Sequence, residues 1–278
     1  MIQFQTEIVT VFQSALYQTT STVVRTNDLI LIVDPTWLPN EVKEIQAYVQ
    51  EIRDDLPLYL LFTHGDFDHI IAYKAFPDAK VIGSKGLAKH PEKEKKVEMI
   101  LSFDQQNYIR REYPAEFPVI DIVAENDGQQ HTVGSTTLHF YLAPGHSQDG
   151  LLTIVEPMGI WIAGDYLSDF ELPFIYDSTK AYLDTLGKFR KLLEKYEVNL
   201  LIPGHGHATA IKEDAETRIE MAERYIHTLI EATANNDNEE LNNLENQMAF
   251  PSSFTKECHQ KNIEITRKEL AAGIVASK

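Results

Sequence analysis

A continuous apolar run, Leu58 to Phe62 (LYLLF), breaks at once into Thr63-His64-Gly65-Asp66-Phe67-Asp68-His69, and no other junction constrains the chain as much. Five apolar residues in a row fit a strand buried on both faces. Four metal-ligating types then crowd into one short loop: His64, Asp66, Asp68 and His69. Imidazole and carboxylate are the usual ligands of zinc and other borderline divalent metals. A loop at a strand end can fan such ligands toward more than one ion, and Gly65 removes side-chain bulk where the turn must be tight. A polar loop whose Asp caps the next helix would explain one of these residues, but not all of them together.

Three later fragments repeat the layout of apolar strand, turn and ligand: LAPGHS with His146, IWIAGDYL with Asp165, and LLIPGHGH with His205 and, close behind, His207. Each alone reads as ordinary turn chemistry. In this order the set resembles the metallo-β-lactamase superfamily, whose members carry a T-H-x-H-x-D-H loop, then Gly-His, Gly-Asp and Pro-Gly-His. The resemblance runs from the first strand to about residue 210, and Asp34–Pro35 is similar to a turn of that family. It implies a first metal on His64, Asp66 and His146, a second on Asp68, His69 and His205, and Asp165 bridging both. His205, directly after the strand, is preferred over His207. The implied cofactors are two divalent ions, zinc first, with manganese or iron as alternatives.

Asp66 departs from the pattern by standing where the family has His, although H-x-D-x-D-H loops also occur within the superfamily. An anionic oxygen donor should make the first site harder and its metal a weaker Lewis acid. Three carboxylates would neutralise much of the charge of two divalent ions, and a water shared by two metals loses a proton near neutral pH. Asp68 is also a catalytic candidate, able to orient that hydroxide or take its second proton. Tyr176, in an exposed-looking turn with Asp177, Ser178 and Thr179, is the candidate donor to a developing oxyanion. Ser147 reads as a hydrogen bonder rather than a nucleophile. The single cysteine, Cys258, lies far from the motifs in sequence and excludes an internal disulfide framework.

The chain of 278 residues, with 43% apolar and 24% charged residues, suits a soluble globular protein. Its formal charge of −17 disfavours nucleic acid as a partner. The mixed-sign run containing Lys85, Lys89, Lys93, Lys95 and Lys96 reads as a solvated helical face. MIQFQTEIVTVF reads as a first strand rather than a signal peptide, and no stretch approaches the ~18 apolar residues that span a bilayer. The expected address is therefore the cytoplasm.

Two successive stretches of mixed strand and helix, each with buried strands before polar His-rich loops, predict an α/β protein: a four-layer αββα sandwich of two sheets with helices outside. We expect one domain over 1–278, with a helical insertion at 84–118 that covers one side of the cleft and a helical C-terminal extension at 208–278. NNDNEELNN, Asn235 to Asn243, reads as a helix–helix connection. By its resemblance the chain is expected to hydrolyse a small ester, thioester or lactone with a metal-bridging hydroxide. A phosphodiesterase or nuclease, and an iron-dependent oxidoreductase on the same scaffold, are the rival readings. No membrane association is expected, and the partner is a small-molecule substrate.

Overall fold

The apolar runs sort into two sheets. In the computed structural model, which describes residues 1–277, the first sheet holds β1 (Ile2–Gln5), β2 (Val9–Gln13), β3 (Thr20–Arg25), β4 (Ile30–Val33), β5 (Leu58–Leu61), β6 (Lys80–Ser84) and β7 (Ile122–Ala124), side by side in chain order. β1 to β4 pair antiparallel and β4 to β7 parallel. The second sheet holds β8 (Gln129–Val133), β9 (Thr136–Leu142), β10 (Leu151–Glu156), β11 (Ile160–Ile162) and β12 (Leu200–Ile202), in the order β12-β11-β10-β9-β8. Between and after the strands run the helices α1 (Pro39–Ile52), α2 (Phe67–Ile70), α3 (Lys85–Ala88), α4 (Lys93–Gln106), α5 (Thr179–Lys195), α6 (Lys212–Asn235), α7 (Asn238–Asn246) and α8 (Ser253–Ala271).

Period-two alternation explains why the buried strands read as unbroken apolar runs. In β4, Leu31 and Val33 enter the core between the sheets, whereas Ile30 and Ile32 point to the helices outside. β5 divides likewise into Tyr59 and Leu61 against Leu58 and Leu60. In the second sheet, Leu151 and Val155 of β10 face inward, and Leu152 and Ile154 face the outer helices. Outside the first sheet lies α1, burying Val42, Ile45 and Val49, which recur at helical spacing. Outside the second lie α5, α6 and α8, which share one core cluster with that sheet. The αββα layering is thus present. At the β3–β4 turn the Asp28 carboxylate accepts hydrogen bonds from Ser135 and Thr136 and clasps the two sheets together.

Local expectations differ from the structure in three places. The N-terminal run is two strands, because the chain turns at Thr6, whose hydroxyl accepts from the backbone of Ile8 and Val9. The 84–118 segment is helical only in α3 and α4, and Asn107 to Asp121 contains no helix or strand. NNDNEELNN is mostly helix: the linker shrinks to Asn236–Asp237, and Asp237 caps α7 by accepting from Glu240 N. Leu241 and Leu244, three apart, bury one face of it, a signal that its many polar residues obscure. Among the described residues no helix is long and apolar enough to cross a membrane.

Candidate metal centre

All seven predicted ligand residues meet at one end of the sandwich, above the carboxyl ends of β5, β11 and β12. Three of their groups have one donor atom each within 4.8 Å of one another: His64, Asp66 and His146; Asp68, His69 and His205; and His64, His69 and Asp165. The first two groups coincide with the two triads expected from the sequence. Asp165 lies between them, with Oδ2 at 3.3 Å from His146 Nε2 and 3.4 Å from His205 Nε2, and Oδ1 at 3.1 Å from His69 Nε2.

What fixes the imidazoles is the other side of each ring. His69 Nδ1 donates to Asp34 Oδ2 at 3.0 Å. Thr63 Oγ1 gives its own hydrogen to Asp34 Oδ2 at 2.6 Å, so it accepts from His64 Nδ1 at 3.0 Å. His146 Nδ1 donates to the Phe174 carbonyl at 2.8 Å, and His205 Nδ1 to the Tyr17 carbonyl at 2.9 Å. With every Nδ1 engaged, each ring presents Nε2 to the centre. The Nε2 atoms of His64, His69 and His146, and Asp165 Oδ1, are buried without a hydrogen-bond partner. Buried polar atoms are rarely left unpaired, and a cluster of them sharing one space is what a cation would satisfy. The residues therefore fit a bound divalent metal.

The electrostatics agree. Burial pushes His69 and His205 down, but the surrounding carboxylates outweigh it, holding His69 well above its ordinary range and His205 up at about 10. Burial likewise opposes ionisation of Asp66 and Asp165, and the neighbouring histidines override it and hold both well below the usual carboxylate range. Without a metal, His69 and His205 thus retain protons that a cation would displace.

Local backbone chemistry sets these positions. Gly204 packs so closely on Asp165 that a Cβ there would overlap its carboxylate. At Gly65 a Cβ would come within 2.7 Å of Asp149 Oδ2 and 2.9 Å of Leu87 Cδ1, so glycine here serves packing across the loop rather than a tight turn. β3 holds the last ligand loop, with Thr20 N donating to the Gly204 carbonyl at 2.7 Å and Thr20 Oγ1 to the Pro203 carbonyl.

The remaining candidates separate. His207 turns outward, half exposed, with Nδ1 against Asp169 Oδ2 at 2.8 Å. The Ser147 hydroxyl is buried without a partner, so it does not hydrogen-bond a ligand. Tyr176 lies over the centre, its ring 5.3 Å from His146. Its hydroxyl is 3.1 Å from Cys258 Sγ, so the cysteine remote in sequence is near the centre in space. Burial pushes both groups up, the thiol to about 11. At neutral pH both groups stay protonated.

Sequence reasoning misses three participants. It reaches Asp34 only as part of a turn, yet the buried carboxylate fixes both Thr63 and His69. Glu171 borders the cleft, and burial pushes its carboxyl up to about 7. Lys96 leaves the expected solvated face, is largely buried and pairs with Asp66 Oδ1. The cleft itself, about 90 Å³, is walled by Tyr17, Trp37, Phe67, Phe174, Tyr176 and Phe254. None of its lining comes from 84–118, which meets the centre from behind through Lys96; the C-terminal extension supplies Phe254 instead.

A family model described as the metallo-β-lactamase superfamily matches residues 15–205. No curated protein matches the sequence. Among solved structures, a metallo-β-lactamase family protein from Thermus thermophilus is similar at 19% identity and a TM-score of 0.65, over 94% of this chain and 93% of that one. An archaeal superfamily protein from Sulfolobus tokodaii gives 17% identity and 0.58, over 96% and 100%. ETHE1 from Myxococcus xanthus gives 18% and 0.54, over 78% and 85%. At these identities the likeness is one of fold.

Proposed function

The chain belongs to the metallo-β-lactamase superfamily, and from that premise we propose that it is a metal-dependent hydrolase of a small, uncharged ester, thioester or lactone. The observation that carries this reading is the set of inward Nε2 atoms of His64, His69 and His146, each fixed from behind at Nδ1 and left unpartnered beside three carboxylates. His64, Asp66 and His146 would hold one divalent ion, Asp68, His69 and His205 the other, and Asp165 both. When bound, such a pair would supply Lewis acidity and a water acidic enough to attack at neutral pH.

The chain's own residues would do the rest. Asp68, grouped with His69 and His205 in the second triad, would accept a proton from the attacking water. Tyr176, held protonated by burial, would donate to the oxygen that gains charge. The aromatic wall would exclude water and seat an apolar group of the substrate. That wall is also why a carboxylic ester is favoured over a phosphodiester. Lys96 is already paired with Asp66, and the aromatic-walled cleft is lined by no Arg or Lys; of the two arginines in the adjoining cavity that shares His146, Asp165 and His205, Arg218 is held by the Leu167 and His207 carbonyls and Asp214.

The test is metal analysis of the purified protein, followed by turnover of p-nitrophenyl acetate, a thioester, a lactone and bis(p-nitrophenyl) phosphate with zinc, manganese or iron restored. We expect two metals per chain and preference for the carboxylic substrates. A protein without metal, or one that turns over only the phosphodiester, would overturn the reading.

A further inference from the structure

The loop residue that departs from the family pattern and the lysine that departs from its expected exposure are the same contact. Asp66 turns Oδ2 toward the centre, 3.3 Å from His146 Nε2 and 3.6 Å from His64 Nε2, and turns Oδ1 away, onto Lys96 Nζ. The carboxylate is thereby split between two jobs, one oxygen available to a metal and the other held by an ammonium. Both side chains are largely buried, at 16% exposed for Lys96 and 19% for Asp66. Lys96 projects from α4, whose neighbouring Lys95 stays in solvent and pairs with Glu92. Asp149 and Asp68 also favour the charged form of Lys96, less strongly than Asp66.

A buried charge is tolerated only with a partner close by. An Asp in place of a His adds one negative charge beside the metals, and a Lys on its outer oxygen adds one positive charge. The sum is that of a neutral ligand. We propose that Lys96 is the counter-charge of Asp66, so that the Asp66–Lys96 pair presents the first metal with one oriented oxygen and no net added charge. The ligand and the helix from the 84–118 segment then form one unit: the aspartate belongs in the loop only while the lysine stands behind it. This inference rests on the metal-centre reading. It also changes the expectation that Asp66 weakens the first ion as a Lewis acid, because the charge responsible is offset from outside.

The prediction separates charge from shape. In Asp66→His, Lys96 loses its partner and faces a neutral ring and a dication, so the first site should bind zinc at least tenfold more weakly. Adding Lys96→Met to Asp66→His removes the stranded cation and should restore zinc binding. Adding Lys96→Arg keeps the cation and should not. Zinc stoichiometry and competition with a chromogenic chelator report binding without reference to turnover, and circular dichroism of the chelator-stripped variants confirms folding. If the Met double variant binds zinc no better than Asp66→His alone, or the Arg double variant recovers equally, Lys96 is not a counter-charge. If any variant fails to fold, Asp66→Asn with and without Lys96→Met poses the same question with a smaller change of shape, and additive losses there also refute the proposal. A native protein that binds metal while the effects are additive refutes this inference alone, whereas a native protein that binds none refutes the metal centre as well.

Discussion

Each imidazole facing the centre is gripped at Nδ1, and the carboxylate between the two triads touches rings from both. Asp165→Ala should therefore cost metal at both positions. We expect metal content to fall by at least half and turnover by more than the ~10–100-fold typical of losing an outer partner; full metal and full rate would contradict the assignment. Protonation gives a second residue-scale prediction. His205 is pushed up to about 10 from 6.5, so its contribution to the metal-free fold is complete below pH 6.5 and fades as pH rises through about 10. Metal binding needs the same nitrogen free, so affinity should rise with pH and binding near neutrality should release protons. Titration calorimetry in two buffers of different ionisation enthalpy would read that release, and equal heats would exclude it. The ligand types themselves are legible in the sequence because strand, turn and donor are contiguous. Their grips are not, since the Phe174 and Tyr17 acceptors are backbone carbonyls that carry no side-chain signature.

At the scale of elements, the wall of the cleft is divided between the core and the first turn of α8. Ser252 caps that helix by accepting from Thr255 N, which fixes the turn that carries Phe254. The Phe254 ring lies 5.5 Å from Tyr17 and 6.2 Å from Phe174. Phe254→Ala should widen the mouth, raise relative rates on bulkier esters several-fold and leave metal content unchanged. Unaltered selectivity in a metal-replete variant would show that this turn does not border the substrate. The strands and the apolar face of α1 can be read from periodicity because burial on one or two faces writes itself into spacing. The position of Phe254 at the mouth cannot, because it depends on how a helix nearly fifty residues after His205 folds back. Lys96 is hidden for a related reason. Within a run of lysines, only tertiary packing distinguishes the one that turns inward.

The whole molecule brings the donors from both sheets into one place: the His64–His69 loop follows β5 of the first, whereas His146, Asp165 and His205 follow strands of the second. Any ion bound there ties the two halves and stabilises only the folded chain. Chelation should lower the unfolding temperature. An ion present at about 1,000 times its dissociation constant adds about 4 kcal/mol, so calorimetric scans with and without chelator should differ by several degrees; coincident scans would mean that the centre contributes nothing to the fold. The αββα layering is legible at this scale from the succession of strand and helix patterns, but the clasp of Asp28 on Ser135 and Thr136 is not, because its partners lie more than a hundred residues apart.

The spread of the donors along the chain also sets a timetable. Synthesis proceeds from the N-terminus, and domains form as their segments emerge. The His64–His69 loop is made early, whereas the Gly204 carbonyl that Thr20 must grasp, and His205 beside it, arrive some 184 residues after that threonine. A ribosome-bound chain that stops before residue 205 has the opening donors of the cage but not the closing one. On the proposed metal reading, retention of metal should thus begin only after that residue clears the exit tunnel, and the loop carrying His205 would be the checkpoint between a nascent chain and a loaded protein.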